Sequence, residues 1–477
     1  MQTSPEASLR RLPYAFRTGS VSLLLLFAAA LPLIPLEVQA GATRIFDQSA
    51  SGTGQSAAFV AQADDPSAIY YNPAGMTQLR GLQTSFGTLL LGGTTTFRHA
   101  SLGTAESTLD GTIAYPLPMN VYVTANLKDL GFAKLGDLSA GLGILSPFGT
   151  LIRWPDTGPF STAVTFAALE LVDVKPTLAY KLNDQLSFGL GADIYTFFNF
   201  WGEGQAEVKF LSSGAPGLPP AGSLIEINGR DTAAGFNVSL LYTPFRNEDG
   251  KPLTNVGLQY RSQATLHLDG QFLANGALVA DSSTTLVLPQ IITGGVALWP
   301  VRDGDHEWKL ELDVDYTDWK SHRNLDFHLS NGTTILVPRN WRSTFTIMIG
   351  SEYTWLHPAI LPEWEVAVRG GYWFSQTPVP DTTFSPDVPD ADNHAISTGL
   401  GLMCKGSGRF LGLFQCGRAG GSKWRPKAVG LDLAFQVLLY ETRTVSGNQQ
   451  PLSSGTFVDG NYKTTLYVGM INLSAHF

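Results

Sequence analysis

Trp308-Lys309-Leu310-Glu311-Leu312-Asp313-Val314-Asp315-Tyr316 alternates without a break, with an apolar or aromatic residue at each even position and a charged one at each odd position. Side chains of an extended chain point alternately to opposite faces, so this stretch is a strand with one greasy face and one charged face. Two environments accept such a strand. A soluble sandwich turns the apolar row inward and leaves the charges in water. A transmembrane barrel turns the apolar row to lipid and the charges to its lumen.

The rest of the chain decides between them. Leu186, Phe188, Leu190, Ala192 and Ile194 alternate with Ser187, Gly189, Gly191, Asp193 and Tyr195. Trp364, Val366, Val368, Gly370 and Tyr372 alternate with Glu365, Ala367, Arg369, Gly371 and Trp373. Many apolar rows end on aromatic residues, as an interfacial girdle requires. Such segments are expected near 82–92, 112–124, 138–147, 163–182, 185–198, 233–243, 253–268, 281–299, 306–319, 343–355, 363–374, 391–403, 427–443 and 463–477. Connections after the even-numbered segments are mostly short, such as Asn183-Asp184 and Arg302-Asp303-Gly304-Asp305; those after the odd-numbered ones are mostly longer, notably 199–232, 320–342 and 375–390. Short periplasmic turns opposite long external loops are the mark of an outer-membrane barrel, and a soluble sandwich has no reason to sort its loops. The fold class is therefore all-β, a fourteen-stranded antiparallel transmembrane β-barrel. The last row, Tyr467, Gly469, Ile471, Leu473, Ala475 and Phe477, closes on an aromatic residue, the form expected of a signal read by the outer-membrane barrel assembly machinery.

Composition agrees. The 50 glycines, 11% aromatic residues and only 15% charged residues suit strands and turns. A net charge of -9 argues against a nucleic-acid partner, which needs a basic face to displace counterions. Arg10, Arg11 and Arg17 precede an apolar run from Val21 to Leu36, and Val38-Gln39-Ala40 supplies small residues for cleavage. Residues 1–40 thus read as a secretory signal peptide, with Gly41 opening the mature chain. The exported compartment is oxidising, so Cys404 and Cys416 are expected to form a local disulfide.

Nothing points to catalysis or to a cofactor. HExxH, GxSxG and P-loop patterns are missing from the sequence, and the eight histidines are scattered. Gly52-Thr53-Gly54-Gln55-Ser56-Ala57 superficially matches a dinucleotide fingerprint, but lacks the strand–turn–helix context that a phosphate cradle needs; a compact turn is the expectation. Metal binding is not expected from two thiols without neighbouring ligands.

Phe46-Asp47-Gln48-Ser49-Ala50-Ser51-Gly52-Thr53-Gly54 and Ala63-Asp64-Asp65-Pro66-Ser67-Ala68-Ile69-Tyr70-Tyr71-Asn72-Pro73-Ala74-Gly75-Met76 resemble the N-terminal signature of the FadL family of outer-membrane transporters, with Asn72-Pro73-Ala74 as its most diagnostic triplet. Leu178–Leu182, Gly257–Ser262, Val287–Pro289, Asp315–Trp319 and Ser375–Asp381 look like further family segments in the right order. The resemblance implies residues 41–80 as an N-terminal hatch plugging the lumen, and residues 81–477 as the barrel. It further implies passive transport of hydrophobic small molecules, long-chain fatty acids or hydrocarbons, by lumen binding and lateral release through the wall into outer-membrane lipid.

It also implies particular residues. Ser146-Pro147-Phe148-Gly149 matches the family's kink in the third strand, with Ser146 at a ligand-contacting position and Gly149 at the bend. Arg339, with Arg342 as its rival, matches a basic residue that receives the substrate carboxylate. Where the family has a second such residue, Phe197 and Phe198 stand instead, which makes an uncharged hydrocarbon an alternative substrate, because a desolvated carboxylate needs paired donors. A secreted structural or adhesive β-protein without a pore is the competing reading.

Overall fold

The computed structural model describes residues 42–200, 202–410, 412–417, 425–449 and 457–477; the expected signal segment 1–40 and Gly41 lie outside the described residues. Fourteen antiparallel strands form a ring: β1 (Leu82–His99), β2 (Met119–Asn126), β3 (Leu138–Leu145), β4 (Val172–Lys181), β5 (Leu186–Thr196), β6 (Ala233–Arg246), β7 (Pro252–Arg261), β8 (Ile291–Arg302), β9 (His306–Thr317), β10 (Thr344–Trp355), β11 (Trp364–Ser375), β12 (Asn393–Lys405), β13 (Ala428–Tyr440) and β14 (Gly460–His476). β1 pairs with β2 from Leu82↔Ala125 to Thr88↔Met119 and with β14 from Gln83↔His476 to Arg98↔Asn461, so the sheet closes without an edge.

The alternation resolves as a membrane strand requires. On β9, Leu310, Leu312 and Val314 are 37–50% exposed on the outside, whereas Lys309, Glu311, Asp313 and Asp315 are at most 3% exposed on the inside. A row of apolar side chains facing outward is costly in water and favourable in hydrocarbon.

Three expected strands overran. The expected segments 253–268 and 281–299 each merge a barrel strand with a strand of a second sheet, and segment 163–182 does the same. The second sheet has eight strands in chain order: Thr150–Arg153, Phe166–Leu169, Ala206–Leu211, Leu224–Gly229, Ala264–Ala274, Ala277–Leu288, Phe327–Leu329 and Thr334–Ile335. It is assembled from the long connections after β3, β5, β7 and β9. Period-2 alternation continues across the junctions at Ser262-Gln263 and Pro289-Gln290, which is why periodicity alone carried the strands too far. Conversely, β2 begins only at Met119, not at 112.

Residues 43–80 fill the lumen with short helices, α1 (Ala50–Thr53) and α2 (Ala68–Tyr71), and a 3-10 turn over Pro73–Gln78. The Gly52-Thr53-Gly54 triplet is the end of α1, a compact turn without a phosphate cradle's setting. Barrel glycines let this segment approach: a Cβ on Gly257 would lie 2.2 Å from the Val60 carbonyl, and one on Gly189 would lie 2.5 Å from the Ala74 nitrogen. The inner charges of β9 do the gripping. Asp313 Oδ2 accepts the amides of Phe59 and Val60 at 2.8 and 2.9 Å, and Glu311 Oε1 accepts those of Ala61 and Gln62 at 2.7 and 3.2 Å. Non-helical backbone at membrane depth is tolerable only when its polar groups find such partners. Cys404, near the end of β12, is joined to Cys416, with Cα atoms 5.7 Å apart.

Candidate functional site

β3 is paired with β2 as far as Ile144↔Val121 and with β4 as far as Leu145↔Asp173. Ser146-Pro147-Phe148-Gly149 then leaves the barrel ladder, and Thr150–Arg153 joins the second sheet. Pro147 has no amide to donate, so regular pairing stops there. A break in a barrel wall would normally strand polar backbone at high cost. Here a strap of residues 42–48 satisfies it. Ile45 N donates to the Pro147 carbonyl (2.9 Å), Gly149 N donates to the Thr43 carbonyl (2.8 Å) and Gln48 Nε2 donates to the Ser146 carbonyl (2.9 Å). Gly149 sits so close to the strap that an added Cβ would lie 3.2 Å from Ile45 Cδ1.

The strap is itself fastened on three sides. Arg44 Nη1 meets Asp315 at 2.5 Å and Thr317 at 2.8 Å, the Tyr122 hydroxyl donates to the Gln48 carbonyl at 2.9 Å, and Ala42 N donates to Asp390 at 3.1 Å. Burial pushes the Asp390 carboxyl up to about 6, against the hydrogen bonds from Thr377 and Ala42 that favour its charged form.

Two apolar cavities lie behind the break. One of about 170 Å³ is lined by Ile45, Leu89, Leu91, Gly149, Ile152 and Leu438. The other, about 110 Å³, lies under the second sheet among Leu268, Leu286, Leu288, Trp319, His322 and Trp341. Thr150 and Val388 belong to the walls of both. Since an apolar cavity of about 150 Å³ takes up benzene, the larger suits one ring or a short chain, the smaller suits a head group or a few carbons, and a longer occupant must span both. A third cavity, about 390 Å³, borders another part of the N-terminal segment and is lined by Asp64, Asp65, Glu352, Arg369, Asp432 and His476. Its wall sets these charged side chains beside apolar ones such as Phe59, Leu402 and Met403.

The residues singled out from sequence fall in different places. Ser146 is buried at the break and engages Gln48 through its carbonyl. Asn72 is fully buried; its Nδ2 donates to the Val60 carbonyl at 2.7 Å and the Leu240 carbonyl at 3.1 Å, tying the N-terminal segment to β6. Pro73 and Ala74 follow in the 3-10 turn, where Ala74 N donates to Ser239 Oγ at 2.9 Å. Arg339 is buried in the wall of the smaller cavity, but both terminal nitrogens face Asp387, Nη1 at 3.1 Å from Oδ1. Its charge is therefore already balanced, contrary to a role as a ready carboxylate receptor. Arg342 is exposed and its amide donates to the Pro378 carbonyl at 2.9 Å. Phe197 packs against the apolar core of the second sheet, and Phe198 stacks on Phe200 at 5.1 Å.

Sequence reasoning missed Trp319, His322 and Trp341, which flank the ends of β9 and β10 and meet Arg339 in one cluster. Trp319 and Trp341 rings are 5.2 Å apart, and His322 lies 4.7 Å from Trp341. Burial, reinforced by Arg339, pushes the His322 imidazole down to about 3, so it is neutral at physiological pH. Burial alone would raise Asp387, but Arg339 beside it holds its carboxyl below the usual carboxylate range.

Known proteins share this architecture. A crystal structure of a Pseudomonas aeruginosa FadL homologue superposes with a TM-score of 0.71 at 17% identity, covering 92% of this chain and all of that one. The Pseudomonas putida toluene transporter TodX superposes with a TM-score of 0.56 at 14% identity, covering 86% of this chain and 94% of that one. In sequence, the long-chain fatty acid transport protein of Salmonella typhi is 24% identical over 398 residues, 78% of this chain and 86% of the relative. The corresponding Escherichia coli K12 protein is 23% identical over 412 residues, with the same coverage. Residues 32–406 match the profile of the outer membrane protein transport protein family (OMPP1/FadL/TodX). A closed fourteen-stranded barrel, a lumen filled by its N-terminal segment and a family match over most of the chain lead to one conclusion: this chain belongs to the OMPP1/FadL/TodX family of outer-membrane transport proteins.

Proposed function

We propose that this protein passively transports hydrophobic small molecules, of the fatty-acid or hydrocarbon class, binding them in the two apolar cavities and releasing them sideways at Ser146-Pro147-Phe148-Gly149. Residues 1–40 act as a cleaved signal peptide and residues 41–80 as the hatch. The observation that carries the reading is the coincidence of the wall break with the apolar cavities, while the chamber across the hatch is charged. A greasy solute gains nothing by crossing the charged chamber into periplasmic water, whereas passage through the wall delivers it to lipid. Burying its surface in the cavities supplies binding at about 25 cal/mol per Å².

Peeling the strap from Pro147 and Gly149 opens the path, and the rest of the hatch stays gripped by β9 and Asn72. In the Pro147→Val/Gly149→Val variant, restored pairing and the clash with Ile45 narrow the opening. Whole-cell uptake of a hydrophobic tracer should fall at least several-fold, while heat-modifiable gel mobility, the mark of an assembled barrel, stays unchanged. Unchanged uptake by an assembled variant would refute the sideways route.

A further inference from the structure

The smaller apolar cavity has a polar end. Trp319, Trp341, His322 and Arg339 all line it, and all are at most 4% exposed. Trp319 Nε1, Trp341 Nε1, Arg339 Nε and His322 Nδ1 find no hydrogen-bond partner among the described residues. The rest of the wall is mainly aliphatic, with Leu268, Leu286 and Leu288 among it. A single unpaired buried donor is already unusual, because each costs the desolvation of its N–H. Four residues lining one small cavity thus each carry an unpartnered buried nitrogen, three of them obligate donors in this state, a set that an acceptor oxygen would satisfy.

The charge around them selects the kind of oxygen. Among the described residues Arg339 is the one cation in this wall, and Asp387 already neutralises it in a two-pronged contact. A carboxylate placed there would bring a second anion beside Asp387 with no free positive charge to meet it, an arrangement that burial penalises. A neutral carbonyl or ether oxygen accepts from the same donors without that cost. A plain hydrocarbon fills the apolar part and leaves the donors unmet.

We propose that Trp319, Trp341 and Arg339, with His322, make this cavity selective for hydrophobic molecules bearing one neutral acceptor oxygen, such as ketones and esters, over plain hydrocarbons and over carboxylates. The inference rests on the reading that the cavity is a substrate site. It makes the tryptophans specificity-determining residues through their N–H groups in addition to their rings. Trp319 also touches the wall break, its ring 6.2 Å from Phe148, so a bound head group sits beside the exit.

The test is equilibrium binding of three ring compounds of matched size, acetophenone, ethylbenzene and benzoate, to detergent-purified full-length protein at neutral pH. One net hydrogen bond corresponds to a preference of about five- to tenfold, so acetophenone should bind that much more tightly than ethylbenzene, and benzoate most weakly. In Trp319→Phe/Trp341→Phe, which keeps the rings and removes the donors, ethylbenzene affinity should hold while the acetophenone preference collapses to within about twofold. Equal binding of acetophenone and ethylbenzene by the unmodified protein, or an unchanged preference in the variant, overturns the selectivity and leaves the transport site standing. Tighter binding of benzoate overturns it in favour of an anion site. Failure of all three to bind overturns the cavity as a substrate site, and this inference with it. Heat-modifiable mobility of the variant shows whether it is assembled, and Trp319→Phe alone gives a second reading if the pair is not.

Discussion

β9 and the hairpin Ala264–Ala274/Ala277–Leu288 alternate with the same period and have opposite meanings. On β9 the apolar row Leu310, Leu312, Val314 faces out and the charges face in. On the hairpin, Leu266, Leu268 and Phe272 are buried while His267, Asp269 and Gln271 are exposed. Alternation states only that the two faces of a strand differ; the solvent on each side decides which row is hidden. The barrel strand lies between lipid and a polar lumen, the hairpin between water and an apolar cavity. Both inversions serve one purpose, since Leu268, Leu286 and Leu288 of the hairpin line the smaller cavity.

Exchanging the environments of the two regions gives effects of graded size. Leu312→Arg places a charge on the lipid face near the middle of β9 and should cost about 2–4 kcal/mol of barrel stability, read as a lower urea midpoint in lipid vesicles. Gly257→Ala probes the inner face. Its new methyl collides with the hatch backbone at Val60, so overpacking of about 1–3 kcal/mol is expected, with faster hydrogen exchange at Phe59–Gln62 and a barrel that still assembles. His267→Leu, on the watery face of the hairpin, should change stability by no more than about 0.5 kcal/mol. A large loss from His267→Leu with none from Leu312→Arg would reverse the assignment of the two environments.

Much of the barrel was legible in the sequence because lipid imposes a strict outer row, and the Asn72-Pro73-Ala74 segment drew attention by resemblance to residues that the fold places inside the barrel. Strand ends were less legible: nothing in the alternation of Gly257–Leu268 marks Ser262-Gln263 as the point where lipid gives way to water. The site was harder still. Arg339 matched a carboxylate-receiving residue by resemblance, and Asp387, its partner, lies 48 positions away in another loop. Trp319, His322 and Trp341 carried a weak signal, two tryptophans and a histidine hugging the ends of neighbouring strands, but only the fold brings them to one cavity. The strap across Pro147 and Gly149 left no mark, since its contacts are mainly backbone to backbone.

The route of the substrate can be read directly by photolabelling intact cells with a hydrophobic diazirine probe and mapping the modified residues by mass spectrometry. Sideways release predicts labels on Phe148–Ile152, Leu438 and the cavity wall near Leu286, with none on the chamber across the hatch around Glu352, Arg369 and Asp432. Labelling concentrated in that chamber, with Phe148–Ile152 unmodified, would contradict it and place the path straight through the lumen.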